Sequence, residues 1–398
     1  MNVERKKILI TGSTGFIGSH LAKRLVHFKD TKVRGLVKDN TISTNRIDWL
    51  PVEKVFGDMT SLQAMRTAVQ GCDVVVHCAI GNPDENYLGT RNVIQAALEN
   101  DVKKFVHISS TAVFGYSPDS EKVKDGRLSD NFPRNEYYTE YSYGKIASEK
   151  VAFGYYDYYQ LPLVVLRLSH VFGPYSTCWT TRPIRMIQHG CYTLVNGGIS
   201  PSNTIYIDNA IDAIVLAIKA ENAVGKALIV NDEKITPWND FFVKNAEMLT
   251  QQYPLLGVNQ SYLKHERARQ KVKLLKRLFS NPSKIYSTLQ KLDSYSDGCI
   301  LSSMIKKGNF KGLTKKIRPR ITNNPLFANT PCAPPKLPEV WLEKSFTIPF
   351  QFPINGAKEV LGFTPRVPFE EAILKTKRWL NNCETCDYSF GYQPAILA

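Results

Sequence analysis

Residues 6–20 read KKILITGSTGFIGSH. A basic start gives way to the apolar run Ile8-Leu9-Ile10, and the turn from Gly12 to Gly18 leads into Ser19-His20-Leu21-Ala22, the opening of an amphipathic helix. A buried strand that turns sharply into a helix N-terminus is what a dinucleotide pyrophosphate needs, because backbone N–H groups and the positive end of the helix dipole then face the anion. Gly12 allows the tight turn, Gly15 lets the backbone approach the phosphates, and Gly18 lets the helix pack close to the strand. Thr14, Phe16 and Ile17 complete the cofactor-facing turn. The same glycines could mark a plain strand-to-helix turn; their place between an apolar strand and a helix favours the cofactor.

Working outward, strand-like and helix-like stretches alternate. Strands are expected at Lys32–Val37, Pro51–Phe56, Asp73–Ala79, Phe105–Ser109 and Leu163–Leu168, and helices at Leu62–Gln70, Tyr87–Asn100 and Tyr141–Tyr159. Regular β/α alternation with apolar strands predicts a parallel sheet covered on both faces. With the glycine turn after the first strand, the fold class is α/β, a doubly wound Rossmann sheet. Beyond Gly173-Pro174 the pattern loosens. A helix is expected near residues 183–190, a strand at Thr204–Ile207, a helix at Asp208–Lys219 and an apolar strand at Ala227–Val230 that could rejoin the sheet. Thr236 and Pro237 read as the cap and first position of a further helix. The expected organisation is a dinucleotide-binding domain at 1–173 joined by 204–232. Residues 174–203 and 233–398 would form a smaller, interwoven C-terminal substrate lobe, with a basic insertion at about 258–345.

The sequence Tyr141-Ser142-Tyr143-Gly144-Lys145 places a tyrosine and a lysine on one helix face. A lysine ammonium beside a phenol favours the phenolate and lowers its pKa, so Tyr141 could exchange a proton with a substrate hydroxyl or carbonyl while Lys145 also reaches a cofactor ribose. Ser109, Ser110 and Thr111 end the fifth strand, at the sheet edge where ligands bind in this architecture. A hydroxyl there could donate to the substrate oxygen, or merely cap a turn.

These motifs together resemble an extended short-chain dehydrogenase/reductase, the NAD-dependent epimerase/dehydratase and 3β-hydroxysteroid-dehydrogenase-like group. The residues carrying the resemblance are TGSTGFIG (11–18), GD (57–58), HCA (77–79), NYLGT (86–90), HISSTAVFG (107–115), YSYGK (141–145), LRLSHVFGP (166–174) and IYIDNAIDA (205–213), with a return at 352–373. The resemblance implies that Tyr141 is the proton donor or acceptor, Lys145 its partner and Ser110 the catalytic hydroxyl, with Ser109 the neighbour that could be confused with it. It also implies that Asp58 accepts from the adenine amine, with Met59 beside it, and that Cys78, Ala79 and Ile80 line the cofactor. Asp58 could equally cap the helix starting near Ser61. Family members that act on sugar nucleotides often carry Asn in place of His170 and an arginine near Ser202. Their absence here weakens a sugar-nucleotide reading, although Arg182 or Arg185 could replace the arginine.

NAD specificity usually rests on an acid ending the second strand. Here Val37 ends it and Lys38 follows, so NADP is preferred over NAD as cofactor; the alternative leaves Lys38 in solvent and turns Asp39 toward the ribose. Thr111, His170 and Arg182 are candidate substrate contacts, His170 being equally open to a packing role.

The net charge of +15 is concentrated, since residues 261–320 hold 16 Lys and Arg against 3 Asp and Glu. Val272, Leu274, Leu275, Leu278 and Phe279 alternate with Lys271, Lys273, Lys276 and Arg277, as in a basic amphipathic helix. Three roles are open: a solvated face, peripheral contact with an anionic membrane or lipid-like substrate, or an acidic partner. No nucleic-acid-binding module is recognisable. The eight cysteines are scattered, no metal site is expected, and Cys383-Glu384-Thr385-Cys386 has no second ligand pair. No stretch approaches the roughly 18–20 apolar residues of a membrane span. The charged start of the chain has no signal-peptide pattern, so a cytoplasmic location is expected. The expected function is an NAD(P)-dependent oxidoreductase that moves hydride between nicotinamide and a secondary alcohol or ketone of a bulky, fairly apolar metabolite, with no nucleic-acid partner and compatible with a homodimer. The rivals are a sugar-nucleotide epimerase or dehydratase, with the cofactor reduced and reoxidised in one cycle, and a non-catalytic NADP-binding regulatory protein.

Overall fold

The computed structural model describes residues 6–38, 46–116, 119–128, 139–188, 193–249, 256–280 and 340–383. In chain order the strands are β1 (Lys7–Thr11), β2 (Lys32–Val37), β3 (Val52–Phe56), β4 (Val74–His77), β5 (Lys104–Ser110), β6 (Leu163–Leu168), β7 (His170–Phe172), β8 (Thr193–Val195), β9 (Thr204–Tyr206), β10 (Lys226–Val230) and β11 (Leu256–Val258). The helices are α1 (Phe16–Leu25), α2 (Leu62–Val69), α3 (Pro83–Glu99), α4 (Glu140–Tyr159), α5 (Arg182–Gln188), α6 (Ile207–Lys219), α7 (Trp238–Ala246), α8 (Gln260–Ser280), α9 (Val340–Ser345), α10 (Asn355–Leu361) and α11 (Phe369–Cys383).

Seven strands form one parallel sheet in the order β10-β6-β5-β4-β1-β2-β3. Chain order reverses between β1 and β4, the switch point at which this architecture opens a crevice beyond the strand ends. The glycine turn leaves β1 there. Alternation along the strands splits the core in two. Ile8, Ile10, Val74, Val76, Val106 and Leu166 pack on the side of α1 and α6. Leu9, Val75, Phe105 and Val165 pack toward α2, α3 and α4. Both faces are therefore buried, which is why these strands read as continuous apolar runs. β10 pairs with β6, so the chain does return to the sheet after leaving it.

Helix starts differ in detail from the sequence expectation. α3 begins at Pro83 because Asn82 forms a capping box with Glu85. Ser61 caps α2 by accepting from the Ala64 N–H. The cap of α7 is Pro237, without a side-chain bond, rather than Thr236. Two smaller sheets pair β7 with β9 and β8 with β11. Asn203, just before β9, holds a distant part of the chain: its side chain accepts from Phe352 N–H (2.7 Å) and donates to the Phe350 carbonyl (3.1 Å). Of the basic window, residues 261–280 belong to α8; residues 281–320, the Pro-rich stretch 331–338 and Cys386 lie outside the described residues, as do the side chains of Lys271 and of residues 273–280.

Candidate active site

The turn after β1 is shaped by close approach. Gly12 has φ +66°, and a Cβ on it would lie 2.9 Å from the backbone of Ala79. A Cβ on Gly18 would lie 2.2 Å from the Gly12 carbonyl oxygen, so α1 can seat against the turn only with glycine there. Ser13 ties the turn to β2 by donating to the Leu36 carbonyl (2.9 Å). Gly15, the N-cap of α1, makes no side-chain cap bond, which leaves the first turn at Phe16 and Ile17 facing the switch-point crevice without a protein cap. This cradle fits a dinucleotide pyrophosphate. Arg46, which no motif marked, donates to the Thr14 carbonyl at 3.5 Å and lies 5.0 Å over the Tyr175 ring, so a cation borders the turn.

At the ends of β2 and β3, Lys38 forms an ion pair with Asp58 at 2.7 Å. Burial pushes the Asp58 carboxyl up, but the contacts from Lys38 and from the Thr60 N–H and hydroxyl outweigh it, and its pKa is lowered. Asp58 therefore makes a local turn and caps no helix, since Ser61 does that. Asp39 lies outside the described residues. Met59 packs into the core, where Gly89 of α3 leaves room for its side chain.

Beyond β4, the Thr11 hydroxyl accepts from the Ala79 N–H (3.2 Å) and sits 2.7 Å from Nδ1 of His77, whose Nε2 is 3.1 Å from the Thr90 hydroxyl. Burial lowers the His77 pKa to about 3, so this link is neutral. Burial raises the Cys78 thiol to about 12 beside Lys145, and Ile80 is exposed. Asn86 brackets Gly81 by bonding both its N–H and its carbonyl (2.9 Å each). A Cβ on Gly144 would lie 2.4 Å from the same Asn86 amide, so the glycine between Tyr141 and Lys145 lets α4 close on α3.

The Ser110 side chain approaches the Tyr141 hydroxyl and favours its ionised form. Lys145 Nζ lies 6.0 Å from the centre of the Tyr141 ring and donates to the Ile108 carbonyl at 2.7 Å. Burial lowers the Lys145 pKa to about 8, partly opposed by Cys78 and Glu149. Burial also raises the Tyr141 phenol, against the pull of Ser110. This corrects the expectation of a phenol lowered by its lysine: the ammonium makes its short contact with a strand carbonyl, and desolvation dominates at the hydroxyl. Ser109 and Ser110 separate cleanly. Ser109 donates to Glu149 Oε1 at 2.6 Å, whereas Ser110 accepts from the Ala112 N–H (3.2 Å) and meets Tyr141. Thr111 is buried at the start of the following turn.

Two further residues position this group. Arg167 of β6 clasps Glu149 of α4 through Nε (2.9 Å) and Nη2 (2.7 Å), and the two side chains are 0% and 2% exposed. Glu149 stands four residues beyond Lys145 on the same helix face, and the ion pair locks α4 against β5 and β6. Both were visible as a carboxylate at helical spacing from the Tyr-Lys pair and as a lone arginine inside the apolar run LVVLRL.

On the substrate side, His170 donates from Nδ1 to the Ser202 carbonyl (2.6 Å) and packs 4.1 Å from Trp179 and 5.5 Å from Trp238. Burial lowers its pKa to about 4, opposed by that bond, so it stands as a neutral ring in an aromatic cluster. The Arg182 guanidinium lies 5.5 Å over Trp341 and lines a cavity with Cys178, Trp179, Phe242 and Leu342. Among the described residues no group of His, Cys, Asp and Glu could hold a metal ion, and no helix is long and apolar enough to cross a membrane.

Comparison with known proteins bears on this arrangement. A family model described as the NAD dependent epimerase/dehydratase family matches residues 8–231. The dTDP-D-glucose 4,6-dehydratase of Dictyostelium discoideum is 28% identical over 242 residues, 54% of this chain and 56% of that protein. The UDP-glucose 4-epimerase of Vibrio cholerae is 28% identical over 246 residues, 57% of this chain and 71% of that protein. The 2-alkyl-3-oxoalkanoate reductase of Shewanella oneidensis is 28% identical over 248 residues, 57% of this chain and 62% of that protein. The chain thus spans little more than half the length of the Dictyostelium relative. The solved dTDP-glucose 4,6-dehydratase of Bacillus anthracis in complex with NAD shares the fold, with a TM-score of 0.62 at 17% identity over 96% of this chain and 98% of that one. Matched over more than half its length, from the glycine turn through β10, the chain belongs to the NAD dependent epimerase/dehydratase family of extended short-chain dehydrogenases/reductases.

Proposed function

We propose that the protein is an NADP-preferring oxidoreductase that reduces a ketone, or oxidises the matching secondary alcohol, on an apolar metabolite. The carrying observation is the approach of Ser110 and buried Lys145 to Tyr141, beside a wall of Trp179, Trp341 and neutral His170. When bound on the glycine turn, the dinucleotide supplies the hydride. Tyr141, kept protonated by burial, donates its hydroxyl proton to the carbonyl oxygen. Ser110 orients that oxygen, and Lys145 stabilises the phenolate left behind. Carbonyl carbon and oxygen thus gain one hydride and one proton. Arg182 is suited to an anionic group of the substrate. The name of the Shewanella relative, a reductase of branched 3-oxoacids, fits such a substrate.

Lys38 and Arg46 support the NADP preference: both cations lie near the cofactor cradle, Lys38 just after β2. A 2′-phosphate would share Lys38 with Asp58 and leave Asp58 to meet the adenine amine. Ser110, Tyr141 and Lys145 act in catalysis; Gly12, Thr14, Gly15, Phe16, Ile17 and Gly18 hold the phosphates; Cys78, Ala79 and Ile80 border the nicotinamide.

The second reading is a sugar-nucleotide epimerase or dehydratase, favoured by the names of the Dictyostelium and Vibrio relatives. Supplying the purified protein with NADPH and branched 3-oxoacid esters, and separately with UDP-glucose or dTDP-glucose, divides the two. The reductase consumes NADPH in proportion to ketone. Conversion of a nucleotide sugar without net change in cofactor absorbance would overturn it.

A further inference from the structure

We infer that Trp341 sets the upper size limit on the apolar branch of the substrate next to the reacting carbon, an inference that rests on the ketone-reductase reading. Trp341 belongs to α9, well beyond the residues 8–231 that carry the family match. Its ring centre lies 5.3 Å from Tyr116 and 6.1 Å from Trp179. Tyr116 is buried beside Thr139 and Ser142 at the head of α4, and both Tyr116 and Cys178 stand within electrostatic reach of Tyr141. Cys178 and Trp341 line the same cavity, whose free space is only about 10 Å³. That is roughly the room of one water, so a branch longer than a methyl group directed into this cavity meets the indole.

The indole is held firmly enough to act as a limit. Two residues on, Glu343 is 6% exposed and receives both Nε (2.9 Å) and Nη2 (2.7 Å) of Arg267 from α8. Leu342 and Phe346 on either side of that carboxylate are buried, and the Ser345 carbonyl accepts from the Trp238 indole N–H at 3.2 Å. Displacing α9 would strand a buried carboxylate and expose these side chains, so yielding is more costly than excluding the branch. Cutting the indole back to a methyl group opens the cavity toward Phe242 and Met186.

The test uses the full chain, NADPH, and two 3-oxobutanoate esters, one with a methyl and one with a hexyl branch. Trp341→Ala should raise the hexyl-to-methyl ratio of kcat/KM by about tenfold or more. Trp341→Phe should fall between wild type and Trp341→Ala, and NADPH affinity by fluorescence titration should stay unchanged in both. An unchanged ratio in either variant, or a proportional loss on both esters with a lowered melting temperature, overturns the inference, because a purely structural tryptophan affects both esters alike. Should Trp341→Ala fail to fold, the ratio in Trp341→Phe decides. If wild type reduces neither ester and converts UDP-glucose instead, the reductase reading falls and the size limit falls with it; if wild type reduces both and only the ratio refuses to move, the size limit alone is wrong.

Discussion

Residues 8–231 and residues 340–383 pack against one another but hold their side chains by different means. In the first region the positions are set by backbone geometry at strand ends. The Thr11 hydroxyl accepts from Ala79, Lys145 donates to the Ile108 carbonyl, and Glu149 collects Ser109 and Arg167. In the second region aromatic packing dominates: Phe346 lies 4.7 Å from Trp238, and Trp379 of α11 lies 5.1 Å from Tyr175. Polar links there pin the backbone to a distant side chain, as where Asn209 Oδ1 accepts from the N–H groups of Arg366 (3.0 Å) and Val367 (2.9 Å). Hydrogen bonds at strand ends tolerate few residue types at few spacings, whereas packing tolerates many. Chemistry common to a family can therefore reside in the first region while the substrate wall varies in the second.

The contrast is sharpest under mutation. Arg167→Met should be the most damaging change, since it strands the buried Glu149 carboxylate; a loss of about 3–5 kcal/mol is expected in denaturant unfolding. Phe346→Ala should lose about 3–4 kcal/mol through a cavity, yet leave NADPH affinity intact, because Phe346 packs in the second region. Equal loss of cofactor affinity in both variants would erase the distinction.

A smaller effect is expected with pH. Burial lowers Lys145 from 10.5 to about 8. Ketone reduction should fall as pH rises through about 8, when the ammonium that supports the Tyr141 phenolate is lost. The sign for stability is opposite. The unfolded chain holds that proton up to 10.5 and the native one does not, so stability should gain between about 8 and 10.5 from this group. With His77 at about 3 and His170 at about 4, neither ring should give a step near 6.5 in the rate of ketone reduction; such a step would assign catalysis to a group outside the Tyr-Lys pair. The smallest effect belongs to Lys38, which is 59% exposed and shared with Asp58. Lys38→Met should weaken NADPH about three- to tenfold and NADH hardly at all, since a screened contact to phosphate is worth little; equal titrations would remove the NADP preference.

What was legible in the sequence follows the same division. The glycine turn, Tyr141 and Lys145 could be found because a phosphate cradle and a helical i, i+4 pair leave a fixed spacing. Ser110 could be separated from Ser109 only by strand phase: Ser109 shares its face of β5 with His107, whose Nε2 lies 3.1 Å from the Ser148 hydroxyl of α4, and so faces the helix layer. The raised phenol of Tyr141 was not legible, because desolvation depends on what covers the residue and not on its neighbours in the chain. Arg46 and Trp341 left no signal at all. One comes from a loop and the other from a short helix far along the chain, and tertiary packing alone brings them to the glycine turn and to the Tyr116 and Trp179 rings.

The most direct test of the whole account is single-turnover hydride transfer in Tyr141→Phe beside a titration of NADPH. The account predicts a rate lower by about 10²–10⁴, as expected on losing a positioned acid, with the dissociation constant of NADPH within twofold, roughly, of wild type. A variant that transfers hydride at the wild-type rate, while binding cofactor equally well, would contradict it.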